Sequence, residues 1–101
     1  MLHTVNKSPF ERNALDACLG RAKKGSVVIL YEDAVYAATK GAAGSLPRLG
    51  QAARDYKLFV LGPDLKARGF DDSQVMEGVT VIDYDGFVDL VAEHGTVNSW
   101  L

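Results

Sequence analysis

Ser26-Val27-Val28-Ile29-Leu30-Tyr31 is apolar almost without a break and too short for a helix of ordinary length. A strand that must face water on one side alternates apolar with polar residues. A continuous run is expected where both faces of the strand are covered, as in a parallel sheet between helices. Gly25 precedes the run, and Glu32-Asp33 follows it.

Working outward from this run, strands and helices alternate. Toward the start, Leu2 to Asn6 reads as a strand ended by Lys7-Ser8-Pro9. Ser8-Pro9-Phe10-Glu11 then has the form of a capping box, with proline where its missing N–H does no harm. The predicted helix runs to about Lys24, and Gly25 is a left-handed stop. Toward the end, Asp33 is placed to cap a short helix through Ala34 to Ala38. Lys40 to Leu46 reads as a Gly- and Ala-rich mobile connection, and Pro47 to Arg54 as a second short helical stretch. Lys57 to Leu61 is the next strand, after which Gly62-Pro63 turns the chain. Asp64 is placed to cap a turn or two of helix that Gly69 ends. Asp71 to Gly78 reads as a polar loop and Val79 to Asp83 as a strand. Asp85 to His94 follows as an amphipathic helix closed by Gly95, with Thr96 to Leu101 as a last strand or a docked tail. Strands alternating with helices imply right-handed crossovers. The expected architecture is α/β: one small doubly wound domain over residues 1–101, with a mainly parallel sheet flanked by helices.

Composition narrows the function. With 101 residues there is no room for a separate catalytic lobe. A chain of this length buries only about 60–65% of its unfolded surface, so association with partners would add to its stability. At 48% hydrophobic and 24% charged residues, a disordered native state is not expected. A net charge of −2 without a basic stripe argues against direct nucleic-acid binding. No apolar run reaches the ~20 residues of a membrane span, and the first residues lack the pattern of a signal peptide. The single cysteine cannot form an internal disulfide or a multi-cysteine metal site. Cytoplasmic residence is the expectation.

Few residues carry chemistry. The expected strand ends present Lys7, Ser8, Glu32, Asp33, Asp64, Asp83 and Asp85, and ligands of such sheets sit beyond those ends. Glu32, Asp33 and Asp64 could hold Mg²⁺ or a phosphate in a free-standing, receiver-like module. The competing explanation is that these acids favour helix starts. No phosphate-binding glycine motif is present, and neither His3 nor His94 accompanies a nucleophile in a recognisable motif. Cys18 is the one intrinsically reactive side chain. On a helical projection it lies in the arc of Phe10, Ala14, Leu15, Ala17, Leu19 and Ala22, into which Glu11 and Arg21 near the helix ends also point, opposite Arg12, Asn13, Asp16, Lys23 and Lys24. There it is either a buried small hydrophobe of raised pKa or, if the arc faces a cleft or partner, a sulfur-handling thiol. Trp100 is expected to dock on this domain or a neighbour, and Tyr31, Tyr36 and Tyr84 could extend a partner surface.

Several segments together resemble the DsrH/TusB family. They are Met1 to Phe10, Tyr31 to Ala38, Leu61 to Gly69, Val81 to Val88 and the terminal Trp100, and their wording is most similar to DsrH of sulfur-oxidising bacteria. The resemblance spans nearly the whole chain in order. It implies a DsrE-like fold and a cytoplasmic heterohexamer with DsrE/TusD-like and DsrF/TusC-like subunits. Such a complex passes persulfide sulfur to a DsrC/TusE-type carrier, for sulfur oxidation or tRNA 2-thiouridine synthesis. In the DsrE/TusD subunit the sulfur rides on a cysteine at the start of a segment ending in Arg-Gly. Counted back from Arg68-Gly69, that slot holds Leu61. Cys18 matches a cysteine in the first helix of DsrH proteins, which carries with it a secondary persulfide role. The implied part is a mainly structural or accessory subunit of a sulfurtransferase complex, with no cofactor and no metal.

Overall fold

The computed structural model describes residues 1–8, 14–43 and 54–100. Five strands, β1 (Leu2–Val5), β2 (Val27–Leu30), β3 (Lys57–Leu61), β4 (Val79–Ile82) and β5 (Val97–Trp100), form one sheet in the order β4-β3-β2-β1-β5. Every pairing is parallel, so the sheet is wholly rather than mainly so. The apolar run at Val27 becomes β2, the central strand, and all four of its residues are buried.

The order of the strands decides where the helices go. From β1 to β4 each connection steps the same way across the sheet, so right-handed crossovers keep all three on one face. That face carries α1 (Ala14–Arg21), a 3₁₀ helix (Glu32–Ala38), α2 (Lys40–Ala43) and α3 (Gly62–Ala67). Leu15, Cys18 and Leu19 of α1, Val35 of the 3₁₀ helix and Leu65 of α3 pack with Val28, Leu30, Leu58 and Val60. The last connection steps back across β3, β2 and β1, which puts α4 (Tyr84–His94) on the opposite face. Its Phe87, Leu90 and Val91 meet Leu2, Val27, Ile29 and Phe59.

Several boundaries differ from the sequence expectation for identifiable reasons. Helix α1 ends at Arg21, short of Lys24. The Tyr56 hydroxyl lies 2.9 Å from the Leu19 carbonyl and 2.8 Å from that of Ala22, so it satisfies the helix end from outside. Asp33 does not cap the helix after β2. The cap position is Tyr31, which makes no side-chain capping bond, and the helix is 3₁₀. Asp64 is likewise inside the first turn of α3, whose cap position is Leu61. Lys40 to Ala43 is helical rather than a mobile connection. Within the expected polar loop, Asp72–Gln74 is a 3₁₀ turn held by a capping box from Asp71 and Gln74. Helix α4 starts at Tyr84, one residue before the expected Asp85, because Asp83 caps it by accepting from the Gly86 N–H at 2.8 Å. Gly69 and Gly95 do take the left-handed stops expected of them, with φ of 84° and 71°, whereas Gly25, at φ 86°, lies beyond the end of α1 in the turn before β2. The helix start at Pro9 to Glu11 and most of the stretch from Pro47 lie outside the described residues. Among the described residues no helix is long and apolar enough to cross a membrane.

The last segment is a strand, and Trp100 does dock on its own domain. Its indole N–H donates to Nδ1 of His3 at 3.1 Å. The neutral His3 ring therefore carries its own proton on Nε2, which is buried and has no partner. Burial first, and repulsion from the Met1 ammonium second, hold the His3 pKa below its ordinary 6.5.

Two outcomes are expected. Tyr56→Phe should lower stability by about 1 kcal/mol, read as a shifted urea midpoint at unchanged slope. Because the native pKa of His3 is depressed, the unfolded state binds more protons below pH 6.5. Stability should be flat above pH 6.5 and fall as the pH drops from there through the lower native value. Fluorescence of the single tryptophan reports this contact directly, and His3→Gln should flatten the profile.

Candidate functional site: the cleft at the β3/β4 strand ends

Strands β3 and β4 are neighbours, yet the chain leaves their carboxyl ends toward opposite faces, into α3 and α4. Such a parting is the topological switch point where α/β sheets hold their ligands. An open cleft of about 520 Å³ lies there, lined by Gly62, Pro63 and Lys66, by Val81, Ile82 and Asp83, and by Gly86 and Asp72. Gly62 approaches β4 closely. A Cβ at that position would sit 3.0 Å from Val81 Cγ1, so the valine side chain would have to give by a few tenths of an ångström. The lining offers one ammonium group, two carboxylates and an apolar floor, and contains no Cys, Ser, Thr or His. It therefore holds no thiol that could carry a persulfide.

Leu61 ends β3 immediately before the cleft and is 3% exposed. The strand–helix junctions around it are tied together by charged groups. Glu32, at the end of β2, has φ of 48°, a left-handed conformation that costs an L-residue roughly 1–2 kcal/mol. Its N–H donates to Asp64 Oδ2 at 2.6 Å, which holds the turn. Arg68 donates from Nε and Nη2 to Asp33 Oδ1, at 3.0 and 2.8 Å, and from Nη1 to the Asp64 carbonyl at 3.2 Å. Two of the three acids considered for Mg²⁺ or phosphate are thus engaged, Asp33 by a guanidinium and Asp64 by a backbone amide. Among the described residues no three His, Cys, Asp or Glu side chains converge to hold a metal ion. The pairing of Arg68 with Asp33 is not legible in the sequence. It joins residues 35 positions apart, and no local pattern signals that.

Cys18 is not part of this cleft. It lies on α1 among Ala14, Leu15 and Leu19, with no exposed surface. Burial pushes its thiol up to about 12. About one thiol in ten thousand would be ionised at pH 8, and the thiolate is the nucleophile. Of the other expected arc members, Ala17 and Ala22 are half-buried, while Arg21 turns out to solvent. The tyrosines divide. Tyr31 packs edge-on against Phe87 and Tyr36 against Phe70, with ring centroids 5.8 and 5.6 Å apart, whereas Tyr84 is 59% exposed.

Fold and site together define a small doubly wound α/β protein whose strand-end cleft lacks a thiol. A family model described as "DsrH like protein" matches residues 7–97. Protein TusB of Pectobacterium parmentieri is 38% identical over 100 residues, covering 99% of this chain and all of that one. Protein TusB of Photorhabdus laumondii is 36% identical over 104 residues with the same coverage. The chain therefore belongs to the DsrH/TusB family, and that membership makes it a sulfur-relay subunit. Two solved structures share the fold. A protein of unknown function from Methanobacterium thermoautotrophicum, MTH1491, superposes with a TM-score of 0.69 at 15% identity, covering 97% of this chain and 96% of that one. Tm0979 from Thermotoga maritima gives 0.66 at 19%, covering 95% and 97%.

Burial of Cys18 has a direct kinetic consequence. In native protein at pH 8 a small thiol reagent should label Cys18 only as fast as the core opens, and in urea at the full rate of a free thiol. Labelling of the native protein at the free-thiol rate would show that α1 does not hold Cys18 in the core.

Proposed function

We propose that this chain is a mainly structural, non-catalytic subunit of a cytoplasmic DsrEFH/TusBCD-like complex. In this reading it completes a heterohexamer with DsrE/TusD-like and DsrF/TusC-like chains. The assembly passes persulfide sulfur to a DsrC/TusE-type carrier, for tRNA 2-thiouridine synthesis or for sulfur oxidation. The observation that carries the proposal is Leu61. In the position where the resemblance puts the sulfur-bearing cysteine of a sister subunit, this chain has a buried hydrocarbon, directly before a cleft that holds no thiol. Family membership supplies the relay context.

Cys18 is assigned to packing. A persulfide on it would need room for a second sulfur in a filled core and access for a donor, and its ionisation is suppressed by the same burial. The Mg²⁺ or phosphate alternative receives no support from the arrangement of Asp33 and Asp64.

The test is intact-mass analysis of each chain after the purified complex has been incubated with a low-molecular-weight persulfide. One added sulfur is expected on the DsrE-like chain and none on this one. Cys18→Ala should leave transfer to the carrier within about twofold of wild type while costing roughly 1–2 kcal/mol of stability, as a small core truncation does. A stoichiometric, reductant-labile sulfur on Cys18 would overturn the purely structural assignment.

A further inference from the structure

Charge is unevenly distributed along this chain. Residues 69–101 hold seven Asp or Glu and no Lys or Arg, whereas residues 1–68 hold all eleven bases against six acids. The fold concentrates part of the acidic half on one surface. On α4, Asp85, Asp89 and Glu93 recur every four residues and form a row, and all three are exposed. Beside that row Tyr84 and Val88, also four apart, are 59% and 62% exposed. Like charges at this spacing repel one another. Among the described residues the one ion pair joins Arg68 to Asp33, so no cation relieves the row.

The same helix is incompletely packed. None of its residues is buried, although Phe87, Leu90 and Val91 face the sheet. The reason is geometric. A single helix about 10 Å across lies over five strands spaced about 4.8 Å apart. The opposite face has three helical connections for the same width.

We propose that the Tyr84–Val88 stripe and the acid row beside it form the docking surface for a partner subunit whose contacting face sets Lys or Arg side chains around an apolar centre. This goes beyond the subunit assignment and rests on it for the partner's being another chain of the same assembly. Basic groups opposite Asp85 and Asp89 cancel a repulsion that the isolated helix retains, and opposite potentials steer the encounter. Apolar groups against Tyr84 and Val88 complete the cover of the α4 face. A second copy of this chain fits less well. Its own bases all lie in the first 68 residues, and an acid-to-base contact between copies is head-to-tail, which propagates into a ring or filament.

The experiment uses tagged DsrE-like and DsrF-like chains from the same organism, co-expressed with this one, and measures how much of this chain they retain. Wild type should be retained, and less so at 1 M salt, where screening shortens to about 3 Å. Val88→Glu and the double change Asp85→Lys/Asp89→Lys should each cut retention by about tenfold or more. Circular dichroism and Trp100 fluorescence should stay native, since all three positions are exposed. Lys23→Glu/Lys24→Glu, outside α4, should be retained like wild type. Equal retention of the α4 variants and wild type overturns the docking surface while leaving the subunit assignment standing. Failure of wild type itself to be retained overturns both. Self-association of the isolated chain that is lost in the α4 variants overturns the stated partner in favour of a second copy.

Discussion

All five strands point the same way, so each connection must carry the chain back along the sheet before the next strand can begin, and handedness fixes the face on which it travels. From that constraint the rest of the molecule follows. Three connections share one face and build the larger core, where Cys18 is held. The single reversal, from β4 back to β5, sends α4 alone to the other face and opens the cleft between Gly62 and Asp83. The site and the thinly covered face are thus products of one topological decision.

The architecture was legible in the sequence because the signals were local. A continuous apolar run at Val27 to Leu30 is readable as a doubly covered strand, and left-handed glycines at 69 and 95 mark real helix ends. What was not legible depended on distant partners. Asp33 and Asp64 both resemble helix caps because an acid near a helix start is usually one. Here Asp33 instead receives Arg68, and Asp64 receives the Glu32 amide. The early end of α1 depends on Tyr56, more than thirty residues away. The position of the cleft depends on strand order, which one sequence does not contain.

The site itself was legible mainly as something missing. Leu61 could be placed at the decisive position only through the family resemblance, and the structure then shows what a leucine does there. It closes the end of β3 with hydrocarbon, while the bonds around it join Glu32 to Asp64 and Arg68 to Asp33. Glu32 is held in its left-handed turn by Asp64, and Arg68 is engaged by Asp33, so charged groups fix the junction. A junction that carried persulfide sulfur would need a thiol, and this one has none.

Strand β5 pairs with β1 across ninety-five positions of chain, as in the contact of Thr4 with Ser99. At translation rates of roughly 5–20 residues per second, the first strand is made some 5–20 s before its outer neighbour exists. For that interval the sheet under construction has an open edge of unpaired N–H and C=O groups beside Leu2 and Val5. A nascent chain of this kind cannot finish folding as it emerges. It depends on its last strand being delivered before another chain finds the same edge.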